Sequence, residues 1–113
     1  MGAPSPVRNL EHLKRQMAER LIAMHPEETY THKAGFEVLA APVYLVELKA
    51  DGHIRSIQVL RRPSVADDTV QLGMDAIRRA APYGNVTGMR PPWAFTETFL
   101  FDERRRFKPR SLD

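Results

Sequence analysis

The residues that could support chemistry are few and scattered along the chain. Among its 113 residues there is no cysteine, which excludes thiolate catalysis, disulfides and cysteine-based zinc sites. No two histidines have the HxxxH spacing that places metal ligands on one helix. The four histidines are His12, His25, His32 and His53. These patterns predict neither a metal site nor a cofactor.

Two pairs of adjacent carboxylates are the remaining candidates for acid–base work. Glu27–Glu28 and Asp67–Asp68 are neighbours in sequence, and neighbours seldom converge on one substrate. The second pair instead suits a helix start, where negative charge is favourable. GxSxG, P-loop and GxGxxG motifs are absent from the sequence. We therefore expect no enzymatic activity.

A third suggestive stretch, Pro92 to Arg110, joins aromatic residues to positive charge. The chain has 17 Lys and Arg against 14 Asp and Glu, and much of the excess lies here. The clustered cations are Arg104, Arg105, Arg106, Lys108 and Arg110. Such a cluster attracts phosphates, so a small basic nucleic-acid-binding α/β module is the alternative function. A charge run is more typical of a solvated chain end, which makes nucleic acid the less favoured partner.

The bulk composition predicts one globular domain. The sequence is 42% hydrophobic and 27% charged, which is ordinary for a folded domain of this length. No apolar run approaches the roughly 18 residues of a membrane span, and the first residues lack the apolar core of a secretory signal. We expect a flexible lead-in over residues 1–8, the domain over 9–108 and a tail over 109–113.

The first element that the periodicity predicts is an amphipathic helix over Leu10–Met24. Ser5 or Asn9 could provide its N-cap, and Pro26 ends it. Apolar residues recur at three- and four-residue steps, which is the pattern of a helix with one buried face. These residues are Leu10, Leu13, Met17, Leu21 and Met24.

A second helix is predicted over Asp68–Ala81. Asp68 and Gln71 have the spacing of a capping box. Gly73 lies beside the apolar stripe, which indicates a close approach between this helix and the sheet. The stripe consists of Val70, Met74, Ile77 and Ala81.

Between the helices, two β-rich segments surround Asp51–Gly52, a strong hairpin signal. A two-residue turn there pairs Leu48 with Arg55, Val46 with Ile57 and Tyr44 with Val59. The core face then gathers Tyr44, Val46, Leu48, Ile57 and Val59. The opposite face is polar near the turn, with Glu47, Lys49, Ser56 and Gln58, and keeps Val43, Leu45 and Leu60 at its far end. The preceding stretch, Phe36–Pro42, is either a short strand or an extended lead-in.

The last predicted strand is Phe95–Phe101, just after Trp93, which we expect to anchor the core. Its phenylalanines alternate with smaller residues, although Glu97 interrupts the aromatic set. They fill the core or, alternatively, face outward beside Val43, Leu45 and Leu60; buried phenylalanine is the commoner case. The predicted fold is α+β: a two-layer sandwich in the order helix-strand-strand-helix-strand, with both helices on one face of a three-stranded antiparallel-type sheet.

In this order and spacing, residues 10 to 108 resemble the C-terminal domain of the TonB/TolA energy-transducer family. The resemblance rests on an apolar strand, a DG turn, a second strand, an alanine-rich helix, prolines and a final aromatic strand. Its parts here are Val43–Leu48, Asp51–Gly52, Ile54–Leu60, Asp68–Ala81, Pro91–Pro92 and Phe95–Phe101. The leading helix, Leu10–Met24, is more similar to the TolA branch.

The resemblance implies a non-catalytic protein-binding domain in the periplasm, possessing a docking edge on its last strand. The partner would be an outer-membrane receptor or a Tol-Pal-type component, bound by strand addition in transport or energy transduction. The residues implied in partner binding are Phe95, Thr96, Glu97, Thr98, Phe99, Leu100 and Phe101. The Tyr-Pro motif that precedes TonB domains is missing, since this region carries only Tyr30. A homodimer through the same edge is the variant of this hypothesis.

Overall fold

A computed structural model of the chain describes residues 2–35 and 37–113. The five predicted elements are present in the predicted order, followed by a short strand and a final turn of 3₁₀ helix. They are α1 (Leu10–Met24), β1 (Val43–Leu48), β2 (Ile54–Arg61), α2 (Asp68–Ala80), β3 (Ala94–Phe101), β4 (Phe107–Pro109) and the turn Arg110–Leu112. The fold is α+β, with two helices and one antiparallel sheet.

The sheet has four strands in the order β2-β1-β3-β4, so the prediction of three strands was wrong. The extra strand is β4, whose residues Phe107–Pro109 pair with Phe99–Phe101. It lies in the segment that the sequence analysis treated as a charged, solvated end. The last long strand, β3, runs antiparallel to β1 along Ala94–Thr98.

The β1–β2 hairpin keeps most of the predicted register. Tyr44 pairs with Val59 and Val46 with Ile57, as predicted, but Leu48 pairs with Ile54 because a bulge displaces Arg55. The turn also differs from the predicted two-residue type. Lys49 N–H bonds to the His53 carbonyl and Gly52 N–H to the Lys49 carbonyl, so three residues form the loop. Gly52 closes it at φ +88°, a conformation that favours glycine.

Both helices supply the core at the positions that the periodicity predicts. In α1, Leu13, Met17 and Leu21 are fully buried, while Leu10 and Met24 at the two ends are 49% and 43% exposed. Asn9 caps α1 because its Oδ1 accepts the His12 N–H at 2.8 Å.

Helix α2 approaches the sheet at Gly73, as predicted. A Cβ atom added there would lie 2.0 Å from the hydroxyl oxygen of Tyr44, so only glycine fits. That hydroxyl donates to the carbonyls of Thr69 and Val70 at 3.2 and 3.0 Å. The predicted capping box is wrong: Asp67 is the N-cap and makes no side-chain cap bond.

Packing continues at both ends of the chain. Val7, in the predicted lead-in, is buried, and its N–H bonds to the Asn85 carbonyl at 2.8 Å. At the other end, the Asp113 carboxylate accepts the Ala34 N–H at 2.6 Å.

Of the ambiguous segment Phe36–Pro42, Phe36 lies outside the described residues. The remainder is mostly extended and bonds to β3 through Ala40.

Candidate protein-binding edges

The predicted docking strand, β3, faces the core with its aromatic side chains. Phe95, Phe99 and Phe101 are at most 2% exposed, so the alternative with outward-facing aromatics is wrong. Phe99 stacks on Phe107 at 4.5 Å between ring centroids. Trp93 is half-buried against the core, and its indole N–H bonds to the Met89 carbonyl. The aromatic part of the stretch from Pro92 to Arg110 therefore serves packing.

The backbone of β3 has strand neighbours on both sides. Strand β1 pairs with its first part, Ala94–Thr98, and β4 pairs with its last part, Phe99–Phe101. The Tyr30 hydroxyl also donates to the Leu100 carbonyl at 2.8 Å. The predicted open edge is therefore closed at Phe99, Leu100 and Phe101, because the chain supplies its own fourth strand there.

The first half of β3 keeps an outer edge without a strand partner, but part of it is occupied. Glu97, the residue that interrupts the aromatic set, is buried at 4% exposure. Its carboxylate accepts the backbone N–H of Thr98 at 3.1 Å, and both the N–H and hydroxyl of Ser111. The final turn of the chain thus lies beside this edge. Strand addition here would reach little more than the backbone of Thr96.

The basic segment after β3 forms a tight turn that Asp102 organises. Oδ1 of Asp102 accepts the backbone N–H groups of Arg104 and Arg106 at 3.0 and 2.9 Å. Its Oδ2 accepts the Arg106 guanidinium at 2.9 Å. Burial opposes ionisation of Asp102, yet the N–H and guanidinium of Arg106 lower the pKa of this carboxyl overall. The turn returns the chain antiparallel to β3 and creates β4.

Three of the five clustered cations are neutralised by acidic side chains. Arg106 pairs with Asp102, and Arg105 pairs with Asp68 through Nε at 2.7 Å and Nη2 at 3.2 Å. The hydrogen bonds from Arg105 lower the pKa of Asp68. Lys108 is buried, and its Nζ donates to the His32 carbonyl at 3.0 Å and to Asp113 at 3.1 Å. The segment is therefore a structured hairpin instead of a solvated end.

The other side of the sheet ends at β2, and nothing pairs with that strand beyond β1 in the described ranges. The Lys49 N–H points to β2, whereas the Leu48 N–H points to the Trp93 carbonyl beside β3. Bonding direction alternates along an antiparallel strand, so Glu47 and Leu45 bond toward β2 as Lys49 does. Their partners in β2 are Ser56 and Gln58, which therefore bond toward β1. The N–H and C=O groups of Ile57 and Val59 consequently point outward. Their side chains are half-buried against the core.

Beside this edge lies a groove between β2 and the C-terminal half of α2. We name it the β2–α2 groove; it measures about 430 Å³. Ile54, Ile57 and Ala81 provide its apolar lining, and Lys49, Arg55 and Arg78 its positive charge. A larger depression of about 570 Å³ lies between α1 and the final turn, lined mostly by exposed charged residues of α1.

Two further features are absent from the part of the chain that the structure describes. No group of three or more histidine, aspartate or glutamate side chains there could hold a metal ion. No helix in those ranges has the length and apolar character needed to cross a membrane.

Sequence reasoning missed both β4 and the open outer edge of β2. The signal for β4 was Asp102 at the first position of a turn, followed five residues later by the aromatic Phe107. The openness of β2 carried no local signal, because it depends on which strands become neighbours.

Comparison of the chain with known proteins found no matching family model, no similar curated protein and no similar solved structure.

Proposed function

We propose that the chain is a non-catalytic protein-binding domain that takes up an extended segment of a partner as an added strand on the outer edge of β2. The observation that supports this is the outer edge of β2, Ile54–Arg61, which faces away from β1 and has no strand partner. It is the longest such edge in residues 2–35 and 37–113. Strand addition uses such N–H and C=O groups for affinity, and neighbouring side chains for selectivity.

The outward groups of Ile57 and Val59 are two residues apart, which is the repeat of an antiparallel or parallel ladder. A guest strand would bond to both and would cover their half-buried side chains. Covering this apolar surface adds a hydrophobic term to the backbone hydrogen bonds. The bulge at Ile54 and Arg55 sets one limit of the ladder.

The resemblance to the TonB/TolA family implied strand addition at Phe95–Phe101, and the geometry favours β2 instead. Strand β4 covers the last three residues of β3, and Glu97 holds the Thr98 N–H. We keep as further proposals from the resemblance a periplasmic location and an outer-membrane receptor or Tol-Pal-type partner in transport. A two-layer arrangement with both helices over the buried sheet face also belongs to this proposal.

The nucleic-acid alternative has less support from the charge distribution. Its candidate site was the arginine cluster, and Arg105 and Arg106 are paired with Asp68 and Asp102. Lys108 is buried. Arg104 and Arg110 alone would have to supply the salt-dependent attraction to phosphates.

The experiment compares two proline variants with matched positions. Val59→Pro removes an outward N–H from β2, and Thr96→Pro removes an outward N–H from the first half of β3; neither N–H bonds to β1. Binding of a capped peptide of alternating Glu and Val is measured by calorimetry after each variant passes a ¹H–¹⁵N fingerprint check. We expect Val59→Pro to weaken binding at least tenfold and Thr96→Pro to leave it within twofold.

The same titration is followed on the unsubstituted protein by amide chemical shifts, which removes any dependence on how well a proline variant folds. Shifts centred on Ile57 and Val59 support the proposal. Shifts centred on Thr96, or none on any strand, contradict it.

A further inference from the structure

The β2–α2 groove carries unneutralised positive charge beside the unpaired backbone of β2. Lys49, Arg55 and Arg78 line it, and none of them is in an ion pair with any residue that the structure describes. The one acidic residue of the lining, Asp51, already accepts the His53 N–H at 3.0 Å and contacts its ring at 3.1 Å. The hydrogen bond from the His53 backbone lowers the pKa of Asp51.

The absence of acidic partners in the groove contrasts with the other side of the sheet, where several cations are paired with aspartates. At the β3–β4 hairpin, Arg105, Arg106 and Lys108 each have an aspartate within 3.1 Å. Three of the five clustered cations are therefore neutralised there. Beside the open edge of β2, Arg62 pairs with Asp67 at 2.9 Å, but Lys49, Arg55 and Arg78 have no acidic partner among the described residues. Unpaired cations beside an open edge attract a guest of opposite charge.

A second copy of the chain is a poor occupant of this edge. Strand β2 contains Arg55 and Arg61 and no acidic residue. Pairing β2 with another β2 would bring these cations alongside one another, and like charges on neighbouring strands are destabilising. Charged edges of this kind oppose self-association.

We infer that the β2 edge selects an acidic extended segment of a partner protein, in which Asp or Glu alternates with apolar residues. The apolar side chains would cover Ile54 and Ile57, and the carboxylates would be attracted by the positive charge of Lys49, Arg55 and Arg78 at the groove. This inference rests on the proposed strand addition at β2 and adds the chemistry of the guest.

The test uses two capped peptides of eight residues, one alternating Glu with Val and the other alternating Gln with Val. Both can add as a strand, and only the first carries charge. We expect the Glu peptide to bind at least tenfold more tightly at low salt, because several exposed charge pairs contribute together. Raising the salt from about 50 to 500 mM should remove most of that difference by screening.

Charge reversal locates the effect. Arg55→Glu and Arg78→Glu are each expected to weaken the Glu peptide by about three- to tenfold and to leave the Gln peptide within twofold. Arg104→Glu is the matched control, since Arg104 is exposed and lies outside the groove. It should change neither affinity by more than twofold.

The outcomes separate this inference from the proposed function. If both peptides bind with equal affinity and shift the amides of Ile57 and Val59, the acidic preference is overturned while strand addition stands. If neither peptide shifts those amides, both proposals are overturned. If the free protein dimerises with shifts at the same amides, as light scattering would reveal, the occupant is a second copy and the acidic guest is overturned.

Discussion

The two sides of the sheet differ in how completely the chain pairs its own backbone and charge. Beyond β3 the chain turns at Asp102, adds β4, and pairs Arg105, Arg106 and Lys108 with aspartates. Beyond β2 there is no further strand in the described ranges, and Arg55 and Arg61 have no acidic partner there. On the closed side, at β3 and β4, these pairs stabilise the fold. On the open side, the outer edge of β2 keeps N–H and C=O groups without a strand partner.

A short segment, β4, determines how much of the sheet edge beside β3 is left unpaired. Strand β4 is three residues long, yet it buries Phe107 against Phe99 and occupies the outer edge of the last three residues of β3. Without it, β3 would offer an edge as long as that of β2, since each strand has eight residues. Substitutions on the closed side of the sheet, at β3 and β4, should therefore affect stability. Substitutions on the open side, at β2, should affect binding.

The largest expected effect on stability is at the closed side. Phe107→Ala should lower the free energy of unfolding by about 3–5 kcal/mol, because the ring is 2% exposed and stacked on Phe99. Val59→Ala, on the half-buried open edge, should cost only about 1 kcal/mol. Chemical denaturation followed by circular dichroism measures both. Equal losses would contradict the distinction between the two sides.

A smaller effect is expected at the turn that makes β4. Asp102→Asn should cost about 1–3 kcal/mol at pH 7, because the carboxylate accepts two backbone N–H groups and a guanidinium. Glu103→Gln, at the exposed neighbour, is the control and should be nearly neutral. Denaturant titrations of the two variants provide the comparison; a loss of equal size in both would contradict the role of Asp102.

The pH dependence of stability provides a second readout of the same carboxyl. The folded pKa of Asp102 lies below its unfolded value of about 4, so its contribution is present above about pH 4 and is lost as pH falls through the lower folded pKa. Asp102→Asn should therefore lose less stability than the unsubstituted protein between pH 5 and pH 2. An unchanged slope would mean that Asp102 does not contribute through its charge.

The smallest expected effect is at Tyr30, which joins the loop after α1 to the closed side. Tyr30→Phe should cost about 1–2 kcal/mol, since the Leu100 carbonyl loses its hydroxyl donor. Burial, followed by the nearby Asp102, raises the pKa of Tyr30 to about 12. Its contribution is present below about pH 10 and is lost as pH rises toward 12. Thermal unfolding from pH 8 to 12 should decline less steeply for Tyr30→Phe than for the matched Thr31→Val.

Local patterns predicted the long elements well. The helical stripe from Leu13 to Leu21, the Asn9 cap and the close approach at Gly73 each follow from neighbours within one or two turns. The hairpin register followed from the alternation around Asp51–Gly52, except at two irregularities, one at Arg55 and one at Leu60. The turn length was wrong because a three-residue loop with Gly52 at positive φ fits the same dipeptide.

The candidate site was harder to predict, because an edge is defined by the absence of a neighbour. Strand β4 is short, contains Pro109, and follows three arginines, so its composition resembles that of a solvated tail. Residues distant in sequence help to stabilise it. Asp68 forms an ion pair with Arg105, and Thr29 forms a β-bridge with Phe107. The identity of the open edge followed only after those long-range contacts were known.

The most direct test of the central claim is amide hydrogen exchange, measured by NMR in the free protein and with the capped Glu–Val peptide. The account predicts that Ile57 and Val59 exchange rapidly when free, since their N–H groups point to solvent, and are protected when the peptide is bound. Thr96 should exchange at the same rate in both states. Protection of Thr96 on binding, or unchanged exchange at Ile57 and Val59, would contradict the assignment of β2 as the binding edge.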